Sequence, residues 1–171
     1  MQAQQLLPPK QCILPPLWGG VVSMEHNIHY EFAIPSDTSR LANLRREITE
    51  VLGSGHFGPV KANLIALVVD EAVANIMEHG QACGTDFSET RGGDILIQVD
   101  LTAERLAITI RDKSASFDPR SVPEVDLAEH IRAGRRRGLG VFLIRRIMDE
   151  VNYTSKENSE NELQLVKYVD A

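Results

Sequence analysis

The chain has 171 residues, of which 43% are hydrophobic and 25% are charged. This length predicts one domain with a real core, and the composition argues against global disorder and against a membrane-spanning protein. The net charge of −6 at pH 7 argues against nucleic acid as the main partner, because no overall basic field would gather phosphates.

The cysteines and histidines predict no metal site built from protein alone. Cys12 and Cys83 lie far apart without metal-ligand spacing, which is typical of a reducing compartment and gives no disulfide framework. The five histidines are scattered, and none pairs with another at ligand spacing on a clear helix. We therefore predict a cytoplasmic protein.

Residues 1–26 are predicted to be a poorly ordered extension ahead of a single domain formed by residues 27–171. The apolar residues 11–23 suggest a signal peptide at first sight, but paired prolines and glycines break any helical region there. Regular patterning begins just after Met24, which is an alternative start. The sequence therefore predicts no leader peptide.

The first elements show clear periodicity. Residues 28–34 alternate apolar and polar side chains, which predicts a half-buried strand. Residues 36–52 carry N-cap residues followed by an apolar stripe, which predicts a helix. A second helix is predicted at residues 59–78 with Gly80 as its C-cap, and residues 81–93 are predicted to form a loop.

The middle of the chain predicts a hairpin and a long connection. Residues 94–101 and 105–112 both alternate, which indicates two antiparallel strands. Residues 113–137 have no sustained period and contain two prolines, so this connection is either functional or mobile. A third helix is predicted at residues 138–151.

The chain closes with a further predicted strand pair at residues 151–156 and 162–169. Together the elements predict an α/β (α+β) two-layer sandwich. Its sheet would be mixed but largely antiparallel, with about three helices on one face. The other face of the sheet must be covered or wet.

The second predicted helix becomes polar near its end, where Glu71, Asn75 and Glu78 lie on or beside its apolar stripe. An unpaired buried polar group costs about 1 to 3 kcal/mol, so this face needs a compensating partner. Glu71 and Asn75 present oxygens one turn apart, which could hold Mg²⁺ with substrate phosphates and deprotonate a hydroxyl. The alternative is a partly exposed helix end with ordinary surface and capping groups.

Two glycines, Gly138 and Gly140, open the third predicted helix. A helix N-terminus presents free N–H groups and a partial positive charge, and glycine lets the backbone approach an anion closely. Arg135, Arg136 and Arg137 precede it and could neutralise a polyphosphate. Taken alone, a G-x-G sequence is weak evidence, and the alternative is a helix entry with a solvated arginine run.

Asp112 ends a predicted strand and enters the long connection, a usual place for a binding residue. A carboxylate there could accept a hydrogen bond from an exocyclic amine, which would suit adenine. The alternative for this residue is a turn-initiating aspartate.

The three motifs, in this order and on these elements, resemble the GHKL (Bergerat-fold) ATPase superfamily of gyrase and histidine-kinase type. The ATP site of that superfamily combines an E-x-x-x-N helix, a D-x-G-x-G turn and a G-x-G helix entry. Within it, the stretches "DEAVANIMEH", "FDP" and "GLGVFLIRRIMDEVNY" look most like the bacterial anti-sigma-factor serine/threonine kinases. The resemblance covers residues 28–169.

The resemblance implies a Bergerat ATP-binding fold that takes ATP with Mg²⁺. It implies that Glu71 is the catalytic base, that Asn75 binds Mg²⁺ together with the ATP phosphates, and that Asp112 binds the adenine amine. Residues 113–137 would form a lid over the nucleotide. The resemblance completes the nucleotide site with Phe117, Arg137, Gly138, Leu139 and Gly140.

The leading interpretation is an ATP-dependent serine/threonine protein kinase and anti-sigma factor of a bacterial partner-switching system. It would bind a sigma factor, phosphorylate a small STAS-type antagonist protein and form a homodimer with residues 36–52 near the interface. A first alternative is a nucleotide-gated module that captures partners without chemistry. A histidine-kinase catalytic domain is a weaker alternative, because residues 1–27 are short and proline-rich for a phosphoacceptor hairpin.

The chain departs from the family pattern in one motif. The D-x-G-x-G sequence would put glycines at positions 114 and 116, where this chain has Ser114 and Ser116. At a position that requires positive φ, a serine costs about 1 kcal/mol or more relative to glycine. The departure leaves open whether the family's kinase activity is retained.

Overall fold

The computed structural model consists of a six-stranded sheet with helices packed against one of its faces. This two-layer α/β sandwich confirms the predicted fold class. The described residues are 19–24, 27–35, 41–53, 57–82, 94–134, 138–155 and 160–169.

The strands follow the order β1-β2-β3-β4-β6-β5 across the sheet, so β4 lies between β3 and β6. The sequence predicts a largely antiparallel sheet, and every described pairing is antiparallel. The predicted hairpin of β3 and β4 is confirmed with the predicted bounds. The strands are β1 (Gly19–Met24), β2 (Asn27–Pro35), β3 (Asp94–Leu101), β4 (Arg105–Asp112), β5 (Glu150–Ser155) and β6 (Asn161–Tyr168).

Strand β1 lies within the segment for which the sequence predicts an extension. It pairs with β2 at the edge of the sheet, with Val21 opposite Tyr30. The sequence analysis did not predict this strand, because paired glycines begin it and prolines precede it, and both residue types indicate turns.

The described helices are α1 (Leu41–Gly53), α2 (Pro59–Ala82), α3 (Leu127–Arg132) and α4 (Gly140–Ile147). The predicted end of α2 was wrong: Gly80 lies inside the helix, because one glycine costs only about 1 kcal/mol in a helix that packs against others. The predicted third helix was too long, since Met148 is extended and β5 starts at Glu150. None of these described helices is long and apolar enough to cross a membrane.

The connection between β4 and α4 is not structureless. It contains a 3-10 helix at Pro119–Ser121 and the short helix α3, neither of which the sequence predicts. Asp118 caps the 3-10 helix and Asp126 caps α3, each by accepting backbone N–H groups. Several predicted segments, among them residues 36–40, 83–93 and 156–159, lie outside the described residues.

The core lies between the helices and the inner face of the sheet. On β4, Ile108 and Ile110 are fully buried, and Asp112 continues the same inner face at the end of the strand. The outer face carries polar, half-buried side chains such as Gln98 and Gln164. The face that the sequence required to be covered or wet is therefore mostly polar, and Asp112 is a carboxylate at the margin of an apolar core.

Replacing Ile108 with alanine should lower the free energy of unfolding by about 3 kcal/mol, because it leaves a cavity at the centre of the core. Gln164→Ala, on the outer face of the neighbouring strand, is the matched control and should change this free energy by less than about 0.5 kcal/mol. Urea unfolding followed by circular dichroism measures both. Equal losses in the two variants would contradict this assignment of the two faces.

Candidate functional site

The start of α4 lies directly on the two polar residues of α2. A Cβ atom added to Gly140 would lie 2.7 Å from Glu71 Oε2 and 3.3 Å from Asn75 Nδ2. The first distance is too short for any real Cβ contact, so a side chain at this position would displace the Glu71 carboxylate. The structure therefore brings the first and the third motif together.

Asn75 has hydrogen-bonding capacity that the protein does not use. Its Nδ2 atom is buried and has no hydrogen-bond partner among the described residues. A buried donor without a partner costs about 1 to 3 kcal/mol. Because the side-chain amide offers a carbonyl oxygen as well as an NH₂ group, Asn75 can present either to a ligand.

The described residues include no group of three or more histidine, cysteine, aspartate or glutamate side chains that could hold a metal ion. A magnesium ion held by one or two protein oxygens and by substrate phosphates needs no such group. The Asn75 side chain lies beside the N-terminus of α4, and its amide oxygen is a ligand of the kind that such a site uses. These residues therefore fit a metal ion that binds together with a phosphate ligand.

The entry to α4 has the backbone of an anion-binding turn. Gly138 has a φ of +93°, in the left-handed region that favours glycine. Leu139 gives α4 no side-chain cap, so the first turn keeps N–H groups for a ligand. The ring of His130 lies nearby, with Cε1 4.0 Å from the position of a Cβ on Gly138. Arg137 lies outside the described residues.

Asp112 is buried and uses only one of its two oxygens within the described part of the protein. Its Oδ1 accepts hydrogen bonds from Ser114 N at 2.8 Å, from Ser114 Oγ and from Asn161 Nδ2 at 3.1 Å. No described residue donates to Oδ2. One carboxylate oxygen therefore remains for a donor on a ligand.

A cleft joins Asn75, Asp112 and Phe117, three of the residues that the sequence predicts for nucleotide binding. Its walls include the apolar side chains of Ile76 and Ile144. The free volume is about 10 Å³, roughly the room that one water molecule needs. A planar base would therefore need these walls to move apart.

Electrostatics make Glu71 a better proton acceptor than an ordinary glutamate. Burial raises the pKa of its carboxyl, and the neighbouring Asp70 raises it further. Arg45 of α1 lowers the pKa of Glu71 and forms an ion pair with Asp70, which moderates the effect. A raised pKa favours general-base chemistry near neutral pH.

Three residues that shape the cleft were not predicted from the sequence. Arg145 Nη2 donates to the carbonyl oxygens of Pro119 and Val122 at 2.6 and 2.8 Å, and thereby ties the connection to α4. Tyr153 and Asn161 line the cleft from β5 and β6. Alternation could have indicated Asn161, because it shares the inner face of β6 with two buried leucines.

The histidine kinase-like ATPase domain family matches residues 34–167 of the chain. The serine-protein kinase RsbW of a Bacillus cereus strain is 26% identical over 150 residues, covering 85% of this chain and 88% of that protein. The anti-sigma F factor of Anoxybacillus flavithermus is 26% identical over 148 residues, covering 85% of this chain and 94% of that protein.

A solved structure shares the fold. A chain in the crystal structure of the SiaB-SiaC complex from Pseudomonas aeruginosa aligns with a TM-score of 0.58 and 17% identity. The alignment covers 80% of this chain and 88% of that chain. At this identity the likeness concerns the fold alone.

The matched family segment contains both halves of the site, the polar end of α2 and the glycine entry to α4. It also contains Asp112 and the connection that follows β4. The family is defined by an ATPase domain, which makes ATP the nucleotide to consider for the cleft. The chain belongs to the histidine kinase-like ATPase domain family.

Proposed function

We propose that this protein is an ATP-dependent serine/threonine protein kinase and anti-sigma factor of a bacterial partner-switching system. One observation carries the proposal: Gly140 packs on Glu71 and Asn75, so a carboxylate and an amide lie at a helix N-terminus. The names of two relatives, a serine-protein kinase and an anti-sigma F factor, support the same activity. The substrate would be a small antagonist protein.

In this proposal the cleft binds the adenine base and α4 binds the phosphates. Asp112 Oδ2 accepts a hydrogen bond from the exocyclic amine, and Phe117 contributes to the wall beside the base. The backbone of Gly138, Leu139 and Gly140 approaches the phosphates, where the N–H groups and partial positive charge of the helix favour an anion. Arg137 adds a positive charge next to this turn.

Asn75 and Glu71 supply the remaining chemistry. Asn75 would hold Mg²⁺ through its oxygen together with the ATP phosphates, and the bound ion would neutralise charge on them. Glu71 would accept the proton of the attacking serine or threonine hydroxyl. Its raised pKa and its position against α4 suit this role.

The partners are proposed from the relatives. This protein would bind a sigma factor and would phosphorylate a STAS-type antagonist; the names of an anti-sigma F factor and a serine-protein kinase among its relatives support the two activities. We also propose a homodimer with α1 near its interface, and a cytoplasmic location. Sigma-factor binding, dimerisation and location do not depend on the cleft, so each needs its own measurement.

The second candidate function is a nucleotide-gated binding module without chemistry. Ser114 and Ser116, in place of two family glycines, favour this candidate because they alter the turn beside the nucleotide. Incubation with γ-labelled ATP, Mg²⁺ and the antagonist protein separates the two candidates. Transfer of label supports the kinase, whereas tight ATP binding without transfer supports the module.

Glu71→Gln should reduce phosphate transfer at least about 100-fold while ATP affinity stays within a factor of about three. The reason is that a general base contributes roughly 10² to 10⁴ to the rate, whereas the amide keeps the size of the side chain. Single-turnover transfer and calorimetric titration with ATP measure the two quantities.

Two variants of the same helix control this experiment. Glu78→Gln changes an exposed carboxyl and should leave transfer unchanged. Asn75→Ala should instead weaken binding of ATP in the presence of Mg²⁺. If Glu71→Gln transfers phosphate at the wild-type rate, Glu71 is not the base.

Glu71→Gln should also stabilise the folded protein at alkaline pH. Because the pKa of Glu71 is raised in the folded state, the ionised carboxyl destabilises the fold at pH above that folded pKa. Below the ordinary value of 4.5, both states hold the proton and the effect vanishes.

The variant should therefore raise Tm at pH 8. Near pH 4 it should change Tm by less than the error of the measurement. Calorimetry across this pH range tests the sign. A gain that is equal at both pH values would contradict the raised pKa.

A further inference from the structure

The two serines that replace family glycines both form hydrogen bonds with their side chains. Ser114 donates to Asp112 Oδ1 from its backbone N–H at 2.8 Å and also from its hydroxyl. Ser116 Oγ lies 2.9 Å from the hydroxyl of Tyr153. A glycine at either position could not make the side-chain bond, so the substitutions add contacts at the start of the connection.

The Tyr153 hydroxyl joins three elements. It accepts the N–H of Phe117 at 3.0 Å and donates its only proton to Asn161 Oδ1 at 3.2 Å. Because that proton is used, the bond with Ser116 must have the serine as its donor. The start of the connection is thereby tied to β5 and β6.

The Asn161 side-chain amide links the Tyr153 hydroxyl to Asp112 by hydrogen bonds. Asn161 is opposite Asp112 in the pairing of β4 with β6, and both side chains are buried. The oxygen of the amide accepts from Tyr153, so its NH₂ group must face the other way. That group donates to Asp112 Oδ1 at 3.1 Å and to the carbonyl oxygen of Ser114 at 2.9 Å.

The result is an asymmetric carboxylate. Three donors hold Oδ1 of Asp112, and no described residue donates to Oδ2. A carboxylate fixed in this way presents a pure acceptor to the cleft. It suits a ligand donor, such as an exocyclic amine, and it repels a ligand carbonyl oxygen at the same place.

We propose that Ser114, Ser116, Tyr153 and Asn161 are positioning residues that fix the Asp112 carboxylate and so make the cleft selective for a 6-aminopurine over a 6-oxopurine. The inference rests on the proposed function, because it needs a nucleotide in this cleft. In this inference the two serines increase the selectivity for the base relative to the glycines of the family. The flexible glycine turn of the family is replaced here by a hydrogen-bonded turn.

The test restores the family glycines. In the double variant Ser114→Gly/Ser116→Gly, ATP affinity should fall about tenfold, since each lost hydrogen bond is worth a factor of roughly two to ten. The ratio of ATP affinity to GTP affinity should fall as well, because a loosened carboxylate can turn away from the 6-oxo group. Calorimetric titration of both nucleotides measures these effects.

Two further variants separate positioning from general damage to the fold. Ser121→Gly changes a serine of the same connection whose side chain bonds only to Asp118 O among the described residues, so its nucleotide affinities should match the wild type. Tyr153→Phe should lower the ATP-to-GTP ratio and speed hydrogen exchange at the Phe117 amide, because the bond from that amide to the Tyr153 hydroxyl is lost. A purely structural role would change Tm without changing that ratio.

The outcomes are distinct. If the wild-type protein binds neither ATP nor GTP, the proposed function fails and this inference falls with it. If the wild type binds ATP but the double-glycine variant keeps both its affinity and its ATP-to-GTP ratio, only this inference is overturned. If the double variant does not fold, Tyr153→Phe decides: an unchanged ratio overturns the proposal.

Discussion

The close contact between the start of α4 and the polar end of α2 is the constraint on which the rest of the site depends. With glycine at position 140, the backbone of α4 comes so near to Glu71 that even a methyl group would collide with the carboxylate. This contact places the N-terminus of α4 against the polar residues that interrupt the apolar face of α2. It also sets a helix N-terminus, a carboxyl with a raised pKa and an unused amide side by side. Anion binding and proton transfer can then occur at the same place, where α4 meets α2.

The second half of the site obeys a different physical rule. Near Asp112 this chain has serine where the family has a flexible glycine, and Ser114 and Asn161 donate hydrogen bonds to the Asp112 carboxylate. The carboxylate is buried, where such bonds are strong and their loss is costly. The narrow cleft means that apolar walls must move when a base enters. In the proposed function, the Asp112 carboxylate held by these bonds would supply the selectivity for the base.

Local patterns in the sequence predict much of this architecture. Alternation gives the β3–β4 hairpin with correct bounds, and motif order brings Glu71, Asn75 and Gly140 together as the structure does. The end of α2 and the shortness of α4 depend on packing and on the start of β5, which no local pattern contains. Asn161 reaches Asp112 through the register of β6 on β4, a pairing set far along the chain. Which residues come together in the site was therefore easier to predict than which residues hold it in place.

Gly140→Ala tests the central claim most directly, because it adds one methyl group at the contact between α4 and α2. The Glu71 carboxylate is the flexible end of a side chain and can swing away, so the fold should survive with a Tm within about 3 °C of the wild type. Single-turnover phosphate transfer should fall more than about tenfold, because Glu71, the proposed base, is displaced. Transfer at the wild-type rate in a folded Gly140→Ala protein would contradict the account.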